Sequence, residues 1–118
     1  MSVEWIEYRG RRILFVDFRA MSEDAMIAQL DEEVAMLRAA PSKSRLLVEV
    51  TDAFTSSRFM AAAKAKAKEI ESLIDRQAIV GVDGLKSILL RGFNAVSKGV
   101  ILKPFDTEES AKEYLSEK

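Results

Sequence analysis

Apolar side chains recur at two different spacings along this 118-residue chain, and the order of those spacings restricts the fold more than any motif does. Residues 3 to 8, VEWIEY, alternate apolar and polar, and ILFVDF at 13 to 18 is a second strand-like run. The Gly-containing basic segment RGRR between them predicts a hairpin turn. From Ser22 onward the spacing changes. Ile27, Leu30, Val34 and Leu37 recur at three and four residues, the stripe of an amphipathic helix. Ser22 stands as its N-cap with Glu23 and Asp24 in the first turn, and Pro41-Ser42 closes it. The acids Asp31, Glu32 and Glu33 fall on the outer, solvated arc of that wheel.

The alternation then repeats. RLLVEV at 45 to 50 is a third strand, and a second helix runs from the hydroxyl residues Thr55, Ser56 and Ser57 to about Asp75, with Met60, Ala63, Ala67, Ile70 and Ile74 on one side. AIVGV at 78 to 82 is a short central strand. Asp83-Gly84 turns into a third helix, LKSILLRGFNAVS, on which Leu85, Ile88, Leu89, Gly92, Phe93 and Val96 share an arc and Leu90 falls outside it. Gly99 ends that helix, and VILKPF supplies a fifth strand with Pro104 at its end. Asp106 or Thr107 opens a last helix whose inner face is Ala111, Tyr114 and Leu115, Asp106 and Glu109 having capping-box spacing. The order ββαβαβαβα predicts a single α/β domain over residues 1–118, a mixed five-stranded sheet packed with four helices, its later strands mainly parallel.

Composition narrows the chemistry. The chain has no cysteine and no histidine, which removes disulfides, thiolate nucleophiles, the Ser-His-Asp triad and the commonest transition-metal ligand. A net charge of −1 lacks the basic surplus of a nucleic-acid binder. Asp17, Glu49, Asp52 and Asp83 sit near strand ends, where α/β sites gather, but four scattered acids specify no reaction. A non-enzyme without cofactor or assigned metal site is expected. Arg9, Arg11 and Arg12 fit either an anion site or a solvated turn, and Lys64 and Lys68 share a mixed-charge face with Glu71 and Asp75 nearby. The opening MSVEWIEYRG has no apolar signal-peptide core and no run approaches the ~20 residues of a membrane span, so a cytoplasmic protein is expected. The hairpin edge suits pairing with a second copy.

The strand–helix order, with AIVGVDGLKSILLRGFNAVSKG and KPFDTEESAKEYL in the last third, resembles the STAS fold of SpoIIAA-like proteins and within it the bacterial STAS/SEC14-like subgroup. Val80 to Leu90 and Phe105 to Leu115 carry the pattern, with Tyr114 where that subgroup usually has tryptophan. The resemblance implies a regulatory, protein-interaction module in the manner of anti-sigma-factor antagonists, acting where the third strand meets the second helix. Their phosphorylatable Asp-Ser-Ser-Gly segment corresponds to Thr55-Ser56-Ser57-Arg58, with Thr55 in place of the acid and Arg58 in place of the glycine. Read as chemistry, the same four residues fit either a hydroxyl N-cap or an anion site at a helix start. The SEC14-like side implies the alternative, a binder of lipid or another apolar ligand or a membrane surface, with Phe54, Phe59, Leu90 and Phe93 lining an opening between the second and third helices.

Overall fold

A computed structural model describes residues 3–95 and 100–117. The chain begins with the hairpin, β1 (Val3–Tyr8) and β2 (Arg11–Asp17), joined by the two-residue turn Arg9-Gly10. Both turn residues have positive φ, 53° and 79°, the geometry whose twist matches the flanking strands. Helix α1 (Glu23–Ala39), β3 (Ser44–Glu49), α2 (Ser57–Ile70), β4 (Ile74–Val80), α3 (Gly84–Ala95), β5 (Leu102–Phe105) and α4 (Glu108–Ser116) follow, with a short 3₁₀ turn, Glu71–Leu73, between α2 and β4. The strands lie side by side in sequence order, β1 antiparallel to β2 and every later pair parallel. The expected mixed five-stranded α/β sheet with four helices is what the chain forms.

Strand order dictates where the helices go. Each parallel connection steps one strand in the same direction, and right-handed crossovers then place α1, α2 and α3 on one face. Leu14, Val16, Leu46, Val48 and Ile79 meet Met26, Leu30, Leu37 and Phe59 there. On the other face Ile13, Leu47, Ala78 and Val80 pack only against Ala111 and Leu115 of α4 and a few half-buried neighbours. β3 is therefore the centre, buried along all six residues. Its Arg45 lies on the α4 side at 7 % exposure, donating to the carbonyl oxygens of Leu115, at 2.8 Å, and Glu117, and to Asp75 at 3.0 Å. Arg76 of β4 adds a bond to the Tyr114 carbonyl at 2.8 Å. Two cations thus meet the last carbonyls at the negative end of α4.

The structure corrects several expected boundaries. α2 stops at Ile70, and Ile74 and Asp75 already belong to β4, so that strand begins four residues before Ala78. The residues Ser72 to Ile74 do not break a helical pattern on paper; Ser72 and Leu73 instead close a 3₁₀ turn, and Ile74 enters the parallel ladder to β3. The last helix is capped by Thr107, whose hydroxyl accepts from the Ser110 N–H at 3.1 Å, not by an Asp106 box. Val96, Ser97 and Gly99 lie outside the described residues, as does the side chain of Leu85.

At the upper end of the sheet, beyond the C-terminal ends of the parallel strands, two loops touch through their backbones. Val50 N–H donates to the Val80 carbonyl at 2.9 Å, extending the ladder. Gly81 then turns with φ 96°, and a Cβ built on it would stand 2.3 Å from the Thr51 nitrogen. Only glycine meets both demands. Gly81→Ala is expected to cost about 3 kcal/mol or more in chemical denaturation. Gly10→Ala, at φ 79° but with nothing within 4 Å, should cost only about 1 kcal/mol. Equal midpoints for the two variants would show that the Thr51–Gly81 approach does not constrain the fold.

Candidate functional site

The segment Thr51–Phe59 leaves β3 beside that contact and enters α2. Ser56 is the N-cap: its backbone is extended, and its hydroxyl accepts from the Phe59 N–H at 3.0 Å. The same hydroxyl bonds to the Glu23 carboxylate and, ahead of Arg58, holds that acid below its ordinary range. Arg58 stands 2.6 Å from both Glu23 and Asp24 in the first turn of α1. Those two acids, expected to serve their own helix dipole, therefore also brace the start of α2. Ser57 is exposed on the first turn, and Thr55 faces inward. Ser56→Ala is expected to cost about 1 kcal/mol in thermal or chemical unfolding, the worth of a hydroxyl cap.

Inward from this junction lies an apolar cavity of about 130 Å³. Phe54, Phe59, Leu90 and Phe93 all contribute to its wall, so the four residues expected to line an opening between the second and third helices do come together. Met60, Ala63 and Ala67 of α2, Leu89 of α3 and Val48 and Ile79 of the sheet complete most of the lining. Phe59 is buried and stacks edge-on against Phe18, with ring centroids 5.3 Å apart. Phe54, in the loop, leaves 53 % of its surface in water.

Leu90 was expected on the outer side of α3, but it is 8 % exposed, while Ile88 is 58 % exposed and Gly92 faces solvent. Lys86 explains the difference. A lysine on a helical wheel marks the wet side, yet the Lys86 stem lines the cavity and its ammonium donates to the Val50 carbonyl at 2.9 Å. With that carbonyl as partner the helix turns Lys86 and Leu90 inward.

Glu33 is a second correction. It was placed on the solvated arc of α1, but it is 7 % exposed and lines the cavity. The buried face of α1 runs through Met26, Leu30, Glu33 and Leu37, because α2 packs over the flank that the wheel left open. Its neighbours differ: Asp31 is exposed and takes Lys66 at 2.8 Å, and Glu32 is half-buried. Burial pushes the Glu33 carboxyl up to about 7. The folded value lies above the ordinary 4.5, so its contribution to stability is complete below about pH 4.5 and lost as pH rises through 7. That interval corresponds to roughly 3 kcal/mol. Glu33→Gln should therefore match the native protein near pH 4 and exceed it in unfolding free energy at pH 8. Parallel pH–stability curves for the two proteins would contradict the burial of an ionisable group here.

The strand-end acids divide. Asp17 is held below its usual range by a bidentate pair with Arg19, at 2.9 and 2.8 Å. Glu49, buried, accepts from the Thr51 N–H at 2.8 Å and hydroxyl at 2.5 Å. A hydrogen bond with Glu49, then burial, pushes Glu108 up. These groups gather on the α4 side, while Asp52 and Asp83 sit exposed in loops. In the hairpin, Arg9 and Arg12 lie over the rings of Tyr8 and Trp5. Among the described residues no three acids are grouped as a metal site, and no helix is long and apolar enough to cross a membrane.

No family model and no curated protein matches the chain. Among solved structures it is similar to an uncharacterised protein of the DUF3478 family, with a SpoIIAA-like fold, from Shewanella loihica. The TM-score is 0.62 at 17 % identity, over 97 % of this chain and 92 % of that one. The chain has the SpoIIAA-like fold.

Proposed function

We propose that this protein is a non-catalytic binding module that works at the junction after β3, where it takes a small apolar ligand into the cavity between α2 and α3. The observation that supports this reading is the cavity itself, walled by four aromatic and aliphatic anchors from three different segments and entered beside Phe54, whose ring is half in water. A well-packed core leaves few voids larger than a water molecule. An apolar cavity of roughly 150 Å³ holds one benzene ring, so this one suits a single ring or a short acyl segment. The strand-end acids support a non-catalytic role, since Asp17 is engaged by Arg19 and Glu49 by Thr51.

Toluene added to isotope-labelled protein is expected to shift the methyl resonances of Leu90, Met60 and Ala63. Ala63→Leu, which fills the space from α2, should abolish the shifts and melt no lower than the native protein. Saturating toluene without effect on those methyls would refute the reading.

A second reading concerns regulation and rests on the Ser56 hydroxyl bridging α2 to Glu23. A phosphate there would compete with Glu23 and Asp24 for Arg58 and loosen the start of α2 from α1, changing the face offered to a protein partner. Ser56→Glu should then raise amide hydrogen exchange in the first turn of α2 well above that of Ser56→Ala. The same exchange in both variants would exclude the switch.

A further inference from the structure

The cavity wall is apolar except at a few points, and those points are not equivalent. Lys86 is committed to the Val50 carbonyl at 2.9 Å. Lys66 is committed to Asp31 at 2.8 Å and Glu69 at 3.4 Å. The Gln77 amide donates to the Val100 carbonyl at 2.6 Å. Glu33 alone of the charged lining groups has no hydrogen-bond or ion-pair partner among the described residues, at 93 % burial on the complement of its 7 % exposure. A buried carboxyl in apolar surroundings without a partner is costly to keep.

Its position along the cavity also matters. Phe54, Thr55 and Lys86 mark the end at the upper edge of the sheet, where α1 also begins. Glu33 is ten residues beyond Glu23, about 15 Å down the axis of α1, at the level where Lys66, Ala67 and Ile70 close the wall from α2. The cavity therefore has an aromatic rim and an acidic inner group.

The geometry points to a ligand with polarity to match: a small apolar body carrying one terminal hydrogen-bond donor, an amine above all, whose head meets Glu33 while its ring or chain fills the space under Phe54 and Leu90. This inference rests on the cavity reading above and sharpens it, because it sets a head-group preference. A carboxylate-headed molecule of the same size would bring a second acid to Glu33 and is excluded from that end. Lys66 and Lys86, facing the same space from α2 and α3, would each have to abandon a bond already made in order to receive it.

Toluene, benzyl alcohol, benzylamine and benzoate share one ring and differ in the head, so they separate the terms. Dissociation constants would be measured near neutral pH by chemical-shift titration of the native protein, Glu33→Leu and Glu33→Gln. Native protein is expected to bind benzylamine about tenfold more tightly than toluene, benzyl alcohol between the two, and benzoate least. Glu33→Leu should reverse the order, gaining affinity for toluene and losing benzylamine. Glu33→Gln, nearly isosteric, keeps the test available if leucine repacks the wall; it should lose the amine preference and retain benzyl alcohol. Toluene and benzylamine binding native protein equally, or the same order in native protein and both variants, would overturn the head-group assignment and leave the cavity reading standing. Absence of binding by all four would overturn both.

Discussion

Three right-handed crossovers between strands laid down in sequence order force α1, α2 and α3 onto one side of the sheet. Everything else follows from that asymmetry. Three helices over five strands meet one another as well as the sheet, and their line of contact is lined by alanines of α2 that let backbones approach but do not fill the space. The cavity lies in that incomplete layer. The opposite face has one short helix, and its apolar surface is correspondingly narrow, with Leu115 and Ala111 fully buried against Ile13, Leu47 and Ala78.

The two faces differ in electrostatics for the same reason. Charged side chains on the α4 side reach water around a nine-residue helix, so Asp17, Arg19, Glu49 and Glu108 find one another at its rim. On the other side a charged group between helices needs a partner within reach, as Lys66 has in the exposed Asp31. Lys86 escapes by snorkelling to a loop carbonyl. Glu33 stands on the inner face of a seventeen-residue helix covered by a second one, and it has no such route.

The sequence carried much of the architecture because its signals were local. The hairpin turn, the caps at Ser22 and Ser56 and the alternation of strand and helix depend on near neighbours in the chain, and the structure forms each of them. What it carried poorly depended on packing between elements. A wheel drawn for α1 places the polar residues outside, and it holds no information that α2 will cover Glu33. A wheel drawn for α3 cannot know that Val50 offers a carbonyl to Lys86, so it sends Leu90 the wrong way. The end of α2 was misplaced because Ile74 suits a helix face and a strand equally, and pairing with β3 decides between them. Of the eight residues singled out at the junction and the opening, the four apolar ones share one wall, while Glu33 gave no sign of belonging with them.

The clamp that Arg45 and Arg76 place on the last carbonyls of α4 has a consequence for assembly of the fold. Both guanidiniums project from strands that are complete only when the crossovers are in place, so the final helix has a prepared dock and little reason to settle before it exists. A chain caught with that helix undocked would show water a bare stripe of Ile13, Leu47 and Ala78 across three adjacent strands. Such a stripe is the kind of surface on which half-finished copies stick to each other, and docking of the last helix onto the two arginines covers it.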